Sequence, residues 1–417
     1  MKFKVKNDLN KTLYILVFAL QGITILSNIF IYGYVSRTFG EEAFGEFSVY
    51  KRFFSFFLTF SILGISVALP RQMIVHDEKK LYYFISSAFI CFVPYFFLTI
   101  IIFSFKEYFT LLLFNNLDYS FITELIFISL PFYLYNILIV SYLRGIMKIF
   151  ESNILIAVTS LCYIFSIVFS ENLYNLIFIN NLFVLFITLV FHKIYINFSF
   201  KEFNLKNIKQ PIKKLFNYGF PRIIGDVSFE SFSTLPVLIL TKSSGIVSAG
   251  YLSLGISFLK IIGLLCSPLS NILLPVISKK FKEKNFNDIF SDIKKLLKIF
   301  IPFGIISNLL MFLGSSILIY IVLGYENDDA AYIIRFISFI SLPILIFYLF
   351  RSINDAIYPF AINSIICFVS IIIFYLIYLF LIYISFEGTN AILLSLVISY
   401  FFMAFMSYYF FKTKKIS

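Results

Sequence analysis

The chain has 417 residues, 60% of them apolar and 13% charged, with a formal net charge of +12. Soluble domains carry roughly 25% charged residues, so this balance excludes a soluble globular protein and predicts an all-α polytopic membrane protein. The positive charge suggests a nucleic-acid partner, but its distribution along the chain argues for none.

A spanning helix needs ~20 mostly apolar residues. Twelve such runs are predicted in chain order, at 12–35, 44–69, 81–104, 121–142, 152–170, 173–192, 215–240, 247–276, 296–323, 330–350, 358–385 and 389–411. Because eleven more runs follow the first, it is expected to span the membrane and not to act as a cleaved signal peptide. Cys91, Cys162, Cys266 and Cys367 all fall inside these runs without paired spacing. They read as packing residues rather than disulfides or ligands. His76 and His192 form no metal-like cluster, so no metal site is expected.

The loops alternate in charge. Of the 34 Lys and Arg, 26 fall in the termini and every second loop, while the other loops hold only Arg37, Lys106 and Lys242. Basic loops stay in the cytoplasm, so both termini are expected to be cytoplasmic. The remaining effect of the charge is attraction to anionic membrane lipids.

The chain also repeats itself. Arg37-Thr38-Phe39-Gly40, Gly45, Ser48, Phe53, Leu69 and Pro70 recur 205 residues later as Lys242-Ser243-Ser244-Gly245, Gly250, Ser253, Phe258, Leu274 and Pro275. Ile128-Ser129-Leu130-Pro131 recurs as Ile340-Ser341-Leu342-Pro343. An offset of six helices gives both halves the same orientation, related by a pseudo-twofold along the membrane normal. The expected organisation is an N-terminal lobe at 1–192, a basic linker at 193–214 and a C-terminal lobe at 215–417.

Five basic residues remain inside predicted helices: Lys51, Arg52, Arg222, Lys260 and Arg335. A charge at the bilayer centre costs at least ~2.5–3.5 kcal/mol, so each is a candidate for substrate binding. In the second helix Ser48, Arg52, Ser55 and Thr59 form one polar stripe, with Lys51 about 100° away and within reach of the interface. In the eighth helix Ser253, Ser257, Lys260, Ser267 and Asn271 share a face. The shift of 205 maps Ser48 to Ser253, Arg52 to Ser257 and Ser55 to Lys260. Two such stripes are expected to face each other across a central cavity; the plainer alternative is helix–helix bonding. In the seventh helix Arg222, Asp226 and Glu230 follow one another at spacing four. Arg222 and Asp226 can pair, as a structural ion pair or beside a site, and Pro221 and Pro236 suggest a discontinuous helix there. Arg335 lies near its helix start, where snorkelling competes with substrate contact. Gln21, Thr24 and Asn28 share a face of the first helix, as cavity lining or interhelical donors.

The segment SRTFGEEAFGEFSVY at 36–50, FNYGFPRII at 216–224 and Tyr142-Leu143-Arg144-Gly145 together resemble bacterial polysaccharide-biosynthesis flippases. These are the O-antigen-type, lipid-linked oligosaccharide flippases of the multidrug/oligosaccharidyl-lipid/polysaccharide (MOP) superfamily. The resemblance implies a MATE-like bundle of six plus six helices in the bacterial inner membrane, working by alternating access. It implies an undecaprenyl-diphosphate-linked oligosaccharide as substrate, membrane lipids around it, and other polysaccharide assembly proteins as partners.

The residues fit that expectation. Arg52, Lys260 and Arg222 would supply charge-assisted donors to phosphate oxygens, and the Ser, Thr and Asn stripes would bond sugars. No phosphate-binding loop for ATP is present and no cofactor is expected. An anion is driven outward by an interior-negative potential, at ~2.3 kcal/mol per charge per 100 mV. Coupling to H⁺ or Na⁺ through Asp226 or Glu230 is the other source of drive. The first alternative is a cation-coupled multidrug exporter, which would want a net acidic cavity. The second is a membrane polymerase or glycosyltransferase, which would need a large periplasmic loop; the longest here is 105–120.

Overall fold

A computed structural model describes residues 7–76, 79–196, 208–283, 286–358 and 361–413. Fourteen α-helices and one short 3-10 turn account for nearly all of them, and no strand occurs among the described residues. The reason is the solvent: without water in the bilayer core, each backbone N–H and C=O must be satisfied inside its own segment. In chain order the helices are α1 (Asn7–Ile62), α2 (Ile65–Val75), α3 (Lys80–Ser104), α4 (Lys106–Phe114), α5 (Ser120–Gly145), α6 (Ile149–Ile167) and α7 (Leu173–Tyr195). They continue as α8 (Lys209–Lys282), α9 (Phe286–Leu313), α10 (Ser315–Leu323), α11 (Asp328–Ser338), α12 (Ser341–Ile357), α13 (Ile362–Tyr383) and α14 (Gly388–Thr413).

Among the described residues nine segments are long and apolar enough to cross a membrane, or ten if α11 and α12, bent by 41°, form one broken span. Two of the nine, Leu16–Val75 and Lys209–Gly263, are far too long for a single crossing. Each turns at a glycine inside the helix, α1 at Gly40 (φ 90°, ψ 178°) and α8 at Gly245 (φ 87°, ψ 175°). Dividing both at those glycines is consistent with the twelve spans expected from the sequence. The two glycines are the pair that the 205-residue repeat equates, and they share one backbone conformation to within a few degrees. That region of backbone space belongs essentially to glycine alone.

The chain forms two compact units. The first comprises Met1–Ile31, Phe57–Leu112 and Asn116–Ile223. Within it α5 is central, packed against α2, α3, α6 and α7. Asn181 donates to Ser129 Oγ at 2.6 Å and Asn136 to Thr188 Oγ1 at 2.8 Å. The equal sequence separation of these two bonds shows that α5 and α7 run parallel. Apolar packing of Leu69, Met73, Tyr83, Leu134, Leu138 and Leu143 fills the space between α2, α3 and α5. At the crossing of α2 and α8, a Cβ on Gly64 would meet the Gly219 carbonyl oxygen at 2.5 Å.

The second unit comprises Tyr32–Phe56, Leu113–Asn115 and Ile224–Ser417. Here α12 packs on α9, α13 and α14, and α11 packs on α9 and α10. Along α14 the buried residues Ser395, Ser399, Met403 and Ser407 recur every fourth position. Each serine hydroxyl donates a hydrogen bond to the carbonyl four residues back. Small side chains on one face allow helices to approach closely where lipid offers no hydrophobic drive for packing. The large apolar side chains that remain exposed, such as Phe96, Ile101, Leu310 and Phe380, are what a lipid-facing surface requires.

One expectation about these helices is corrected. α8 is not discontinuous at Pro221 or Pro236, and its only non-helical residue is Gly245. A proline removes one ladder hydrogen bond, which a spanning helix can tolerate. The break falls instead between α11 and α12, immediately before Ser341-Leu342-Pro343. The repeated Ser129-Leu130-Pro131 lies within the unbroken α5.

Gly245→Ala is expected to destabilise the protein by about 1–3 kcal/mol through backbone strain alone, because no atom lies near enough to clash with an added Cβ. Gly22→Ala, in an ordinary helical position with open space around it, should be neutral or slightly stabilising. Thermal unfolding of the detergent-purified variants checks both.

Candidate functional site

Residues 32–56 of α1 and 224–263 of α8, all in the second unit, build a charged cluster. Contact begins at glycines. A Cβ on Gly45 would lie 2.7 Å from the Ile246 carbonyl oxygen, and one on Gly250 would lie 2.9 Å from the Gly45 Cα. Neither position has room for a side chain. One turn along, Ser253 Oγ donates to the Ser48 carbonyl at 3.2 Å. A further turn along, Arg52, only 4% exposed, donates from Nε to Ser253 Oγ at 2.8 Å. Its Nη2 donates to the Ser253 carbonyl and to Ser257 Oγ.

Gly45 and Gly250, Ser48 and Ser253, Arg52 and Ser257 are each separated by 205 residues. Each residue therefore meets its own repeat counterpart. Equivalent residues meet only along the axis that relates them, so a local twofold passes between these two helix segments. The polar stripes at this level are in direct contact and do not face each other across a gap. The facing glycines are what allow it.

Around the axis the other charges gather. Lys260 Nζ lies 2.9 and 3.1 Å from the two carboxylate oxygens of Glu230, which also accepts from Ser233 Oγ at 2.9 Å. Thr234 Oγ1 donates to the Arg52 carbonyl at 3.5 Å. Lys51 Nζ sits 4.7 Å from the ring centroid of Tyr32, and Ser257 Oγ lies 3.5 Å from the Tyr32 hydroxyl. Lys51 is thus held over an aromatic face beside Arg52, instead of reaching away to an interface. The ring quadrupole supplies the attraction, worth about 0.5–2 kcal/mol. Lys51, Arg52 and Lys260 with Glu230 make three cations and one carboxylate within electrostatic reach of one another.

The remaining expected residues are placed separately. Ser48 Oγ is buried without a hydrogen-bond partner among the described residues. Ser55 and Thr59 are half-buried. The Asn271 side chain lies outside the described residues. Gln21 Oε1 is buried with no hydrogen-bond partner among the described residues, and Asn28 donates to the Thr24 carbonyl at 2.8 Å. Arg335 is exposed and donates to Ser315 and Ser316 at 2.8 and 3.2 Å. Arg222 belongs to the first unit and donates to the Tyr218 hydroxyl at 2.9 Å.

Asp226 has a partner that sequence reading had assigned to a loop. Arg351, on α12, places Nη2 3.5 Å from Asp226 Oδ1. Asn363 Nδ2 donates to both the Arg351 carbonyl and Asp355 Oδ1 at 2.8 Å. The polar run Arg351-Ser352-Ile353-Asn354-Asp355 mimics a loop in composition, but α12 continues to Ile357. Tyr32, one of 28 tyrosines, carried no distinguishing pattern.

The fold is that of a multi-pass α-helical membrane protein. It is similar to a structure described as the inward-facing conformation of a multidrug resistance MATE family transporter of the MOP superfamily. The TM-score is 0.79 at 11% identity, covering 96% of this chain and 97% of that one. A MOP superfamily transporter from Pyrococcus furiosus, described as having a binding pocket of reversed polarity, matches with TM-score 0.72 at 12% identity over 96% and 94% of the two chains. The outward-facing conformation of a MATE transporter matches with TM-score 0.66 at 11% identity over 97% and 96%. No curated protein sequence matches significantly. The family model for polysaccharide biosynthesis proteins matches residues 10–281, and the chain belongs to that family.

Glu230→Ala strips Lys260 of its counter-charge and is expected to cost about 1.5–3 kcal/mol, the range for hydrogen bonds to charged groups. The double variant Glu230→Ala/Lys260→Ala should recover part of that loss. A double-mutant cycle on thermal stability measures it; equal, additive losses would show the pair to be uncoupled.

Proposed function

We propose that the protein is a flippase that moves an undecaprenyl-diphosphate-linked oligosaccharide from the cytoplasmic to the periplasmic leaflet of the bacterial inner membrane. Alternating access of the lobes 1–192 and 215–417 about the linker 193–214 would carry the substrate across, with both termini cytoplasmic. The observation that supports this reading is the sign of the axial cluster. Lys51, Arg52 and Lys260 against Glu230 leave a net charge near +2. That complements a diphosphate of about two negative charges, through charge-assisted donors that are strong in a low-dielectric setting. Arg52 Nη1 has no partner among the described residues, so one edge of the guanidinium is still available to an anion. A phosphate would also compete for the Nη2 donors now given to Ser253 and Ser257.

A multidrug exporter is the second reading, because the fold is shared with MATE transporters. An exporter of organic cations would be served by an acidic site, and this cluster has the opposite sign. The membrane potential acting on the diphosphate is the simplest drive. Proton or Na⁺ coupling through Asp226 or Glu230 would require the ion to displace Arg351 or Lys260 from its carboxylate.

Arg52→Ala and Lys260→Ala are each expected to reduce translocation about 10-fold or more, the equivalent of one lost charge-assisted hydrogen bond, with membrane insertion unchanged. Deletion of the gene should leave lipid-linked saccharide units facing the cytoplasm and abolish surface polymer. Full polymer export by the double variant would overturn the assignment of the cluster. Normal polysaccharide together with new drug sensitivity in the deletion strain would favour the exporter.

A further inference from the structure

Outside the axial cluster, the first unit holds a second group of cations between α2 and the start of α8. Arg71 and Arg222 both stack on Tyr218, with guanidinium carbons 4.4 and 4.8 Å from its ring centroid. Both also donate to the same phenolic oxygen, Arg71 through Nη1 and Arg222 through Nη2. One step toward the chain end of each helix, Lys214 Nζ meets His76 Nε2 at 2.9 Å. Lys214, Tyr218 and Arg222 follow at spacing four along one face of α8. The crossing that brings α2 there is fixed by the tight approach of Gly64 to Gly219.

No carboxylate pairs with Arg71 or Arg222 among the described residues; Asp77 and Glu78 lie outside them. Two like charges converging on one neutral oxygen repel each other, and a single hydroxyl cannot compensate both. A tetrahedral oxyanion can, since it offers an acceptor to each guanidinium fork. Arg71 is exposed and Arg222 half-buried, so an anion can reach them. They lie at the end of the helices that adjoins the basic segments, where a spanning helix meets the headgroup layer, and the opposite face of α8 there carries exposed, apolar Phe216, Phe220 and Ile224. A ligand suited to this place has a phosphate at one end and a hydrocarbon chain at the other.

We infer that Arg71, Tyr218 and Arg222 form a phosphate-binding clamp that holds a lipid headgroup phosphate at the cytoplasmic end of the molecule, separate from the axial cluster. The cytoplasmic placement rests on the flippase reading. Tyr218 acts as the spacer: without a ligand it keeps the two guanidinium groups converged, and a phosphate then takes their outer donors. The headgroup is either the diphosphate of a polyisoprenyl lipid waiting to be moved or the phosphate of an anionic phospholipid.

Full-length protein in phosphatidylcholine nanodiscs would be titrated with a sugar-free polyisoprenyl diphosphate and, separately, with phosphatidylglycerol. Native mass spectrometry reads bound lipid. The double variant R71A/R222A is expected to bind at least about 10-fold more weakly, R71K/R222K to retain part of the affinity, and Y218F to weaken binding about threefold while keeping both cations. Loss for polyisoprenyl diphosphate alone identifies the substrate lipid as the source, and loss for both lipids identifies headgroup phosphate in general; either supports the clamp. Unchanged binding of both lipids in R71A/R222A overturns it, and so does unchanged binding in Y218F together with full affinity in R71K/R222K. Arg52→Ala measured alongside separates the readings: an R52A protein that binds and translocates normally removes the axial cluster from the flippase model, whatever the clamp does.

Discussion

The contact of Gly45 with Gly250 is the constraint on which the charged cluster depends. With no side chain at either position, two helix backbones touch, and Arg52, Ser253 and Ser257 are brought within bonding reach over the next two turns. Ser253 reaches the Ser48 carbonyl, and Arg52 reaches Ser253 and Ser257. A larger residue at either glycine would push the helices apart and lengthen the bonds that Arg52 makes to its buried partners. The cost of a buried guanidinium without acceptors is what ties the packing of this region to its chemistry.

Repetition explains why the contact takes this form. When two similar segments related by a twofold are brought together, residues near the axis meet their own counterparts. Gly40 and Gly245 share a backbone conformation, Gly45 meets Gly250, and Arg52 meets Ser257. Divergence is confined to what symmetry leaves free. Arg52 faces a serine, so the axis carries one guanidinium instead of two repelling each other. The second cation, Lys260, is displaced by a turn and neutralised by Glu230. An exact repeat would have placed two arginines in contact, which the low dielectric forbids without a ligand.

Much of this was legible in the sequence, because two of its signals are physically obligatory. Apolar runs long enough to cross a bilayer, and glycines recurring in one register, leave few alternatives. Serine and cation stripes identified the faces of α1 and α8 that meet. What the sequence could not disclose were the long-range partners. Arg222, Asp226 and Glu230 look like one ladder by spacing, yet Asp226 and Glu230 bond to Arg351 and Lys260, chosen by tertiary packing over helical proximity, while Arg222 bonds one turn back to Tyr218. Arg351 was hidden by a polar stretch that resembles a loop while remaining helical. Lys51 was judged by its angle around the helix, whereas a long flexible side chain can fold back onto an aromatic ring beside its neighbour.

On the proposed flippase reading, the carboxylate in the cluster bears on function as much as the cations do. Three uncompensated cations would hold a diphosphate strongly, and a transporter must also release what it binds. Glu230 holds Lys260 in a defined place, and in the proposed flippase it would lower the charge to a value that roughly matches a diphosphate. On that reading an arriving phosphate would exchange partners, drawing Lys260 from Glu230 and Arg52 from two serines, so that much of the binding energy would go into breaking bonds that re-form on departure. Only the difference between the two sets of bonds would remain as affinity, as a flippase site would need in order to fill on one side of a membrane and empty on the other.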